Sequence, residues 1–182
     1  MKVIKRLLIF GIIFTFFCTA VNVQAASKTL GVRRVEQQES KWCWAACSEM
    51  VGKYGTSSKL TQRDAVRLIW GDTYPNKAGT VANMVSCVQY ISDYKKKAKS
   101  VSCLLSLENI KNNINAGKPM IGRISWTNGD GHAVVFSGYN DAKIRIVDPA
   151  KNKPIIYLSY NDLKSKAKFK SGTGKITHTV YY

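Results

Sequence analysis

The spacing of apolar residues changes at Pro119, from every third and fourth position to every second, and this switch constrains the fold more than any other feature of the chain. Before it, Cys43, Ala46, Cys47, Met50, Val51 and Tyr54 fall at i, i+3, i+4, i+7, i+8 and i+11, one face of a helix that Gly55 stops. Thr61 can cap a second helix carrying Ala65, Val66, Leu68 and Ile69, and residues 72–79, with Tyr74, Pro75 and Gly79, read as a loop. Thr80 can cap a third helix running to about Tyr94, and Ser106 opens a fourth through Leu107, Ile110 and Ile114, closed by Gly117 and Pro119. After Pro119, residues 120–126, 132–139, 143–147, 155–158 and 176–181 read as strands, parted by turn residues such as Asn128-Gly129, Asn140-Asp141 and Asp148-Pro149. Helices first and strands second predict an α+β domain, an N-terminal helical half packed on a C-terminal antiparallel sheet.

Two segments of different character precede the first helix. Lys2, Lys5 and Arg6 come before the apolar run 7–17 (LLIFGIIFTFF), and a polar stretch then ends in VNVQAA. That is the order of a secretory signal peptide, and the run is too short to span a bilayer comfortably. Cleavage is expected between Ala25 and Ala26, giving a signal peptide over 1–25 and one domain over 26–182, secreted or held in the cell envelope. Phe16 and Phe17 stand before Cys18 where a lipid-modified cysteine needs small residues. Residues 26–41, polar and basic, read as an extended arm.

Loss of residues 1–25 leaves 25 Lys and Arg against 11 Asp and Glu, a formal charge of +14 where the whole chain has +17. Such a charge favours non-specific association with anionic surfaces: nucleic acid, lipid head groups, a polyanionic wall or acidic proteins. Arg33, Arg34, Arg63, Arg67, Arg123 and Arg145 are the only arginines after residue 25. Base reading and bidentate phosphate recognition favour arginine, so no specific nucleic-acid partner is expected. The runs Lys95 to Lys97 and Lys164, Lys166, Lys168, Lys170 read as solvated faces, without the interleaved aromatics of a single-strand binder.

Cys43, Cys47, Cys87 and Cys103 remain after cleavage, enough for two disulfides in an exported chain. With no Cys-x2-Cys pair and only His132 and His178 as nitrogen donors, neither a metal nor an organic cofactor is expected. A thiol attacks a carbonyl only as thiolate, and a helix N-terminus or a neighbouring imidazolium favours that form. Cys43 is predicted at such a terminus. Cys47, one turn further in on the apolar face, is expected to be inert. With Cys43 kept free, at most one disulfide is left, Cys87 with Cys103 or Cys47 with Cys87.

A nucleophilic thiol also needs a base, an orienting group and oxyanion donors. His132, in GDGHAVVFSGYN, opens an apolar strand, and Asp148, in IRIVDPA, ends the next one. Two antiparallel strands joined by a turn near residue 141 bring both to about the same level, where an aspartate can fix the tautomer of the imidazole. The backbone amide of Cys43 is one oxyanion donor. The side-chain amide of Gln37 is the candidate for the second, with Gln38 as its competitor.

The stretch from Gln37 through Cys43-Trp44-Ala45 resembles the active-site segment of papain-like cysteine peptidases, where Gln, five residues and Cys-Trp-Ala open the central helix. WCWAAC resembles the small bacterial group that includes secreted avirulence-type effector peptidases. AGKPMIGRIS, GHAVVFSGYN and IRIVDP are similar to the His and Asp half of bacteriocin-leader-processing peptidases and their stand-alone relatives. The resemblance implies a papain-like fold with Gln37 in the oxyanion hole, Cys43 as nucleophile, His132 as base and acid, and Asp148 as orienter. It implies peptide-bond hydrolysis through a thioester, on a protein or peptide substrate. The same machinery could instead serve an amidase, a transpeptidase or a deamidase, and an inactive papain-like scaffold could serve as a basic binding protein for polyanionic surfaces. Residues 56–105 carry no part of the resemblance.

Overall fold

The computed structural model describes residues 26–182. The expected signal peptide and Cys18 lie outside the described residues. Among those residues no helix is long and apolar enough to cross a membrane.

Four helices form where capping residues and apolar spacing place them. Helix α1 is Cys43–Lys53, α2 is Gln62–Trp70, α3 is Val81–Ile91 and α4 is Leu107–Asn115. Thr61 and Thr80 each close a capping box, and Ser106 accepts from the Asn109 amide, so the orphan amides of α2, α3 and α4 meet side chains at once. Helix α3 stops at Ile91, short of the expected end near Tyr94, because Asp93 and Tyr94 take left-handed backbone at φ 56 and 55. Helix α1 was expected to bury one face. It is buried from Trp44 to Gly52 without interruption, since it runs between α2 and α3 on one side and the sheet on the other.

The sheet is antiparallel. Its strands are β1 (Ser27–Thr29), β2 (Lys99–Val101), β3 (Met120–Trp126), β4 (Gly131–Asn140), β5 (Lys143–Val147), β6 (Ile156–Ser159), β7 (Ala167–Lys168) and β8 (Thr173–Tyr181). The spatial order is β2-β8-β3-β4-β5-β6, with β1 added to β4 and β7 to β8. Strand β3 covers β4 as far as Phe136, and β1 takes over from Gly138 to Asn140 on the same edge. A side chain at 138 would stand 2.6 Å from the Lys28 carbonyl, so only glycine lets β1 approach there. One apolar core runs from Leu30 to Val180. The α+β layout read from the sequence is thus the observed one.

Several local expectations need correction. The arm 26–41 is not simply extended: it starts with β1, and Leu30 and Val32 are buried in the core. A short helix, α5 (Tyr160–Ser165), follows β6 and had no counterpart in the sequence reading. The Lys164 to Lys170 series is exposed as expected, alternating with buried Leu163, Ala167 and Phe169. Lys95 and Lys97 are also exposed, but Lys96 is buried, and its ammonium donates to the Val51 and Tyr54 carbonyls at the end of α1. It supplies donors that the helix lacks, and burial lowers its pKa to about 8. The four cysteines among the described residues are free: Cys87 is buried on α3 with its thiol on the Ala65 carbonyl, while Cys103 is exposed. Neither disulfide considered above forms.

Candidate active site

Cys43 is the first residue of α1. Its neighbours Trp42 and Trp44 are each 2% exposed, and their indole N–H groups donate to the Pro75 and Lys77 carbonyls at 3.0 and 3.1 Å. The two rings thus anchor the helix start to the segment that follows α2, and Cys43 stays half-exposed between them. No side chain caps α1, and its first residue, Cys43, lines the cleft, so the positive end of the helix lies beside the thiol.

His132 is the second residue of β4, and its Nε2 lies 2.8 Å from Asp148 Oδ1. With Nε2 occupied, Nδ1 is the nitrogen left to exchange a proton with Cys43, which lines the same cleft. Asp148 follows β5, and a bulge brings it to the correct face. The hairpin pairs Asn140 with Lys143 and Gly138 with Arg145, then slips one residue to pair Phe136 with Ile146 and Val135 with Val147. One step further, Asp148 falls opposite Val134, which shares a face with His132. Without the slip Asp148 would fall opposite Val135 and point away.

Asp148 is 3% exposed and fully engaged: Oδ1 also accepts from the Ala150 amide at 2.8 Å, and Oδ2 accepts from Ser171 Oγ at 2.6 Å. Burial opposes its charge, but His132, Ser171 and Ala150 outweigh burial and lower its pKa. For His132, burial works against the imidazolium, and the bond to Asp148 and the nearby Cys43 prevail, raising its pKa to about 9. Complete burial, with Cys43 and Asp148 adding to it, pushes the Cys47 thiol well up, and burial pushes Cys87 up to about 12.

Gln37 lines the same cleft as Cys43 and His132, and its backbone amide donates to the Pro149 carbonyl at 2.9 Å. Its side-chain Nε2 donates to the Glu39 and Ser40 carbonyls at 2.9 and 2.8 Å, which leaves the buried Oε1 without a partner. Gln38 is exposed, with its amide on Gln62 Oε1. Among the described residues no group of three His, Cys, Asp or Glu is placed to hold a metal ion.

A model of the peptidase C39-like family matches residues 29–172, which span all four of these side chains. The chain belongs to that family. Its members are cysteine peptidases, and the likeness to leader-processing peptidases read from the sequence holds. A C39-like peptidase from Bacillus anthracis superposes with a TM-score of 0.58 at 14% identity, over 86% of this chain and 98% of that one. The peptidase domain of Streptococcus ComA, a bifunctional ABC transporter of a quorum-sensing pathway, gives 0.58 at 16%, over 82% and 96%. A double-glycine-motif protease from an AMS/PCAT transporter, solved with its leader peptide, gives 0.56 at 18%, over 85% and 93%. At such identities the likeness is one of fold. No curated protein matches the chain.

The C39-like site has walls that no motif announced. The cleft encloses about 700 Å³, and on its far side Trp126 stacks on His132 with ring centroids 5.6 Å apart and planes 19° from parallel. Phe169 meets Trp126 edge-on at 5.5 Å, so the turn that carries Ser171 also braces the ring covering the imidazole. Ala78 forms part of the opposite wall. Trp126 at the end of β3 and Ser171 and Ala78 in two loops lie far apart in sequence, each reading there as an ordinary turn or strand-end residue.

Proposed function

We propose that the chain is an exported peptidase that hydrolyses peptide bonds through a Cys43 thioester, with His132 as base and acid and Asp148 as orienter. The observation that carries this reading is His132 held on Asp148 through Nε2 while His132 and Cys43 line one cleft. His132 takes the thiol proton, and the sulfur adds to the scissile carbonyl carbon. The Cys43 amide stabilises the oxyanion, and the imidazolium then protonates the departing amine as the C–N bond breaks. Water, deprotonated by the same imidazole, adds to the thioester, and the sulfur leaves with the carboxylic acid released. Gln37 is the second oxyanion donor, which requires its amide to swing off the Glu39 and Ser40 carbonyls. The swing is favoured by the partnerless Oε1, a costly feature of the resting orientation.

Export rests on the sequence of residues 1–25, and a peptide substrate is supported by the leader peptide held by the transporter protease. One experiment addresses export and the nucleophile together. Protein recovered from outside the cytoplasmic membrane is treated with an epoxide-type thiol inhibitor and weighed intact. The expected mass is that of residues 26–182 plus one inhibitor, with the adduct mapped to Cys43. An unmodified Cys43 in folded protein counts against the mechanism, and a retained N-terminal segment counts against cleavage.

The pH dependence follows from His132. Its folded pKa, about 9, lies above the ordinary histidine value, so the ion pair it supports is complete below about 6.5 and is lost as pH rises through about 9. The alkaline limb of kcat/KM is therefore expected near pH 9. A limb centred near pH 6.5 would show the imidazole to be unsupported by its neighbours.

A further inference from the structure

Beside the main cleft, a second cavity of about 110 Å³ opens onto the same sulfur and imidazole, lined by Cys43, Gly79, Met84, His132, Ala133 and Arg123 among others. Arg123 lies on β3 between buried Gly122 and Ile124, opposite Ala133 on β4. Its side chain is half-buried, with Nη1 donating to Thr177 Oγ1 at 3.1 Å. Its Nη2 lies against the backbone just before His132: a Cβ added to Gly131 would stand 3.2 Å from it. Among the described residues, ion pairs join Arg34, Lys53, Arg67 and His132 to carboxylates, and none involves Arg123. Asp130, close in sequence, lines the main cleft and makes no ion pair with it.

A guanidinium drawn partly out of water, with one neutral hydroxyl for company, is an unfinished site. Desolvation of a charge is costly unless it is paired, and the planar fork of arginine is shaped for a carboxylate. From this geometry we infer that Arg123 is a specificity-determining residue that binds a carboxylate of the peptide substrate, close to the scissile bond. The inference rests on the peptidase reading above and gives it a substrate class. The cavity touches both Cys43 and His132, and an extended peptide advances about 3.4 Å per residue, so the carboxylate belongs within about two residues of the bond that breaks. An excess of positive charge over the whole molecule draws acidic peptides in the same direction.

The carboxylate can come from an Asp or Glu side chain or from the free C-terminus of a peptide, and the test separates them. Internally quenched peptides carry one Glu, or Gln in its place, walked through the two positions on each side of the cleaved bond, and a further pair ends as free acid or as amide. At one position Glu is expected to exceed Gln in kcat/KM by about tenfold or more, or the acid to exceed the amide by as much. In Arg123→Gln that ratio should fall to near one, and in Arg123→Glu a Lys peptide should overtake the Glu peptide. Arg123→Lys, which keeps the charge and loses the fork, should retain a smaller preference and guards against a variant that fails to fold. Equal cleavage of every pair by the wild-type protein, or a preference that survives Arg123→Gln, overturns the inference and leaves the peptidase reading standing. If no peptide is cleaved at all, both fall.

Discussion

Cys43→Ala and His132→Ala are each expected to reduce turnover by about four orders of magnitude or more, with melting temperatures close to that of the parent protein. The size of the loss follows from interdependence: without the sulfur no thioester forms, and without the ring the thiol keeps its proton and the leaving amine finds none. The modest effect on stability has a separate cause. Cys43 is half-exposed at the end of α1, so removing its sulfur opens no sealed cavity. Removing the imidazole leaves Asp148 with the Ser171 hydroxyl and the Ala150 amide, so the buried carboxylate is not stranded. Asp148→Ala should cost about two orders of magnitude less, since the ring keeps its place under Trp126 while losing its fixed tautomer. Progress curves on a cleaved peptide, beside thermal melts of each variant, measure both quantities. Turnover by Cys43→Ala at even a hundredth of the parent rate would sink the thioester route.

The parts of this site that could be read in advance are those whose signals are local. The apolar spacing of α1, the Thr61, Thr80 and Ser106 caps and the turn residues around β5 sit within a few positions of the elements they define, and α1 to α4 and β3 to β5 start where expected. Strands β1 and β2 have three residues each and exist because they pair with Asn140 and Tyr181, far along the chain, so nothing in their own composition declares them. The neighbourhood of His132 and Asp148 was legible from the hairpin. The bulge that turns Asp148 to the right face was not, although Ser137-Gly138, interrupting an apolar run, marks where it forms. Lys96 was misjudged because a lysine run is usually solvated, and only the folded end of α1 supplies the carbonyls that draw one of the three inward. Gln37 was set apart from Gln38 by the resemblance to papain-like peptidases, and the direction of its amide depends on two carbonyls in the intervening loop.

Trp44→Ala is expected to lower stability by about 3–5 kcal/mol, a fall in melting temperature of about 10 °C or more. The ring is 2% exposed, directly after the nucleophile, and it packs so closely on Gly79 that a Cβ there would stand 2.3 Å from it. Its indole N–H satisfies the Lys77 carbonyl. Truncation therefore removes packing and a hydrogen bond together, and it frees the segment whose Ala78 and Gly79 line the two cavities beside Cys43. Trp44→Phe separates these contributions: most of the packing stays, the bond to Lys77 is lost, and the cost should be nearer 1 kcal/mol. Activity measured well below the melting temperature of each variant should fall further in Trp44→Ala than in Trp44→Phe, because wall position, not folded fraction, is then limiting. If Trp44→Ala melts within two or three degrees of the parent, the tryptophan does not hold that wall, and the link between the helix start and the substrate cleft has to be sought in Trp42 and the Pro75 carbonyl instead.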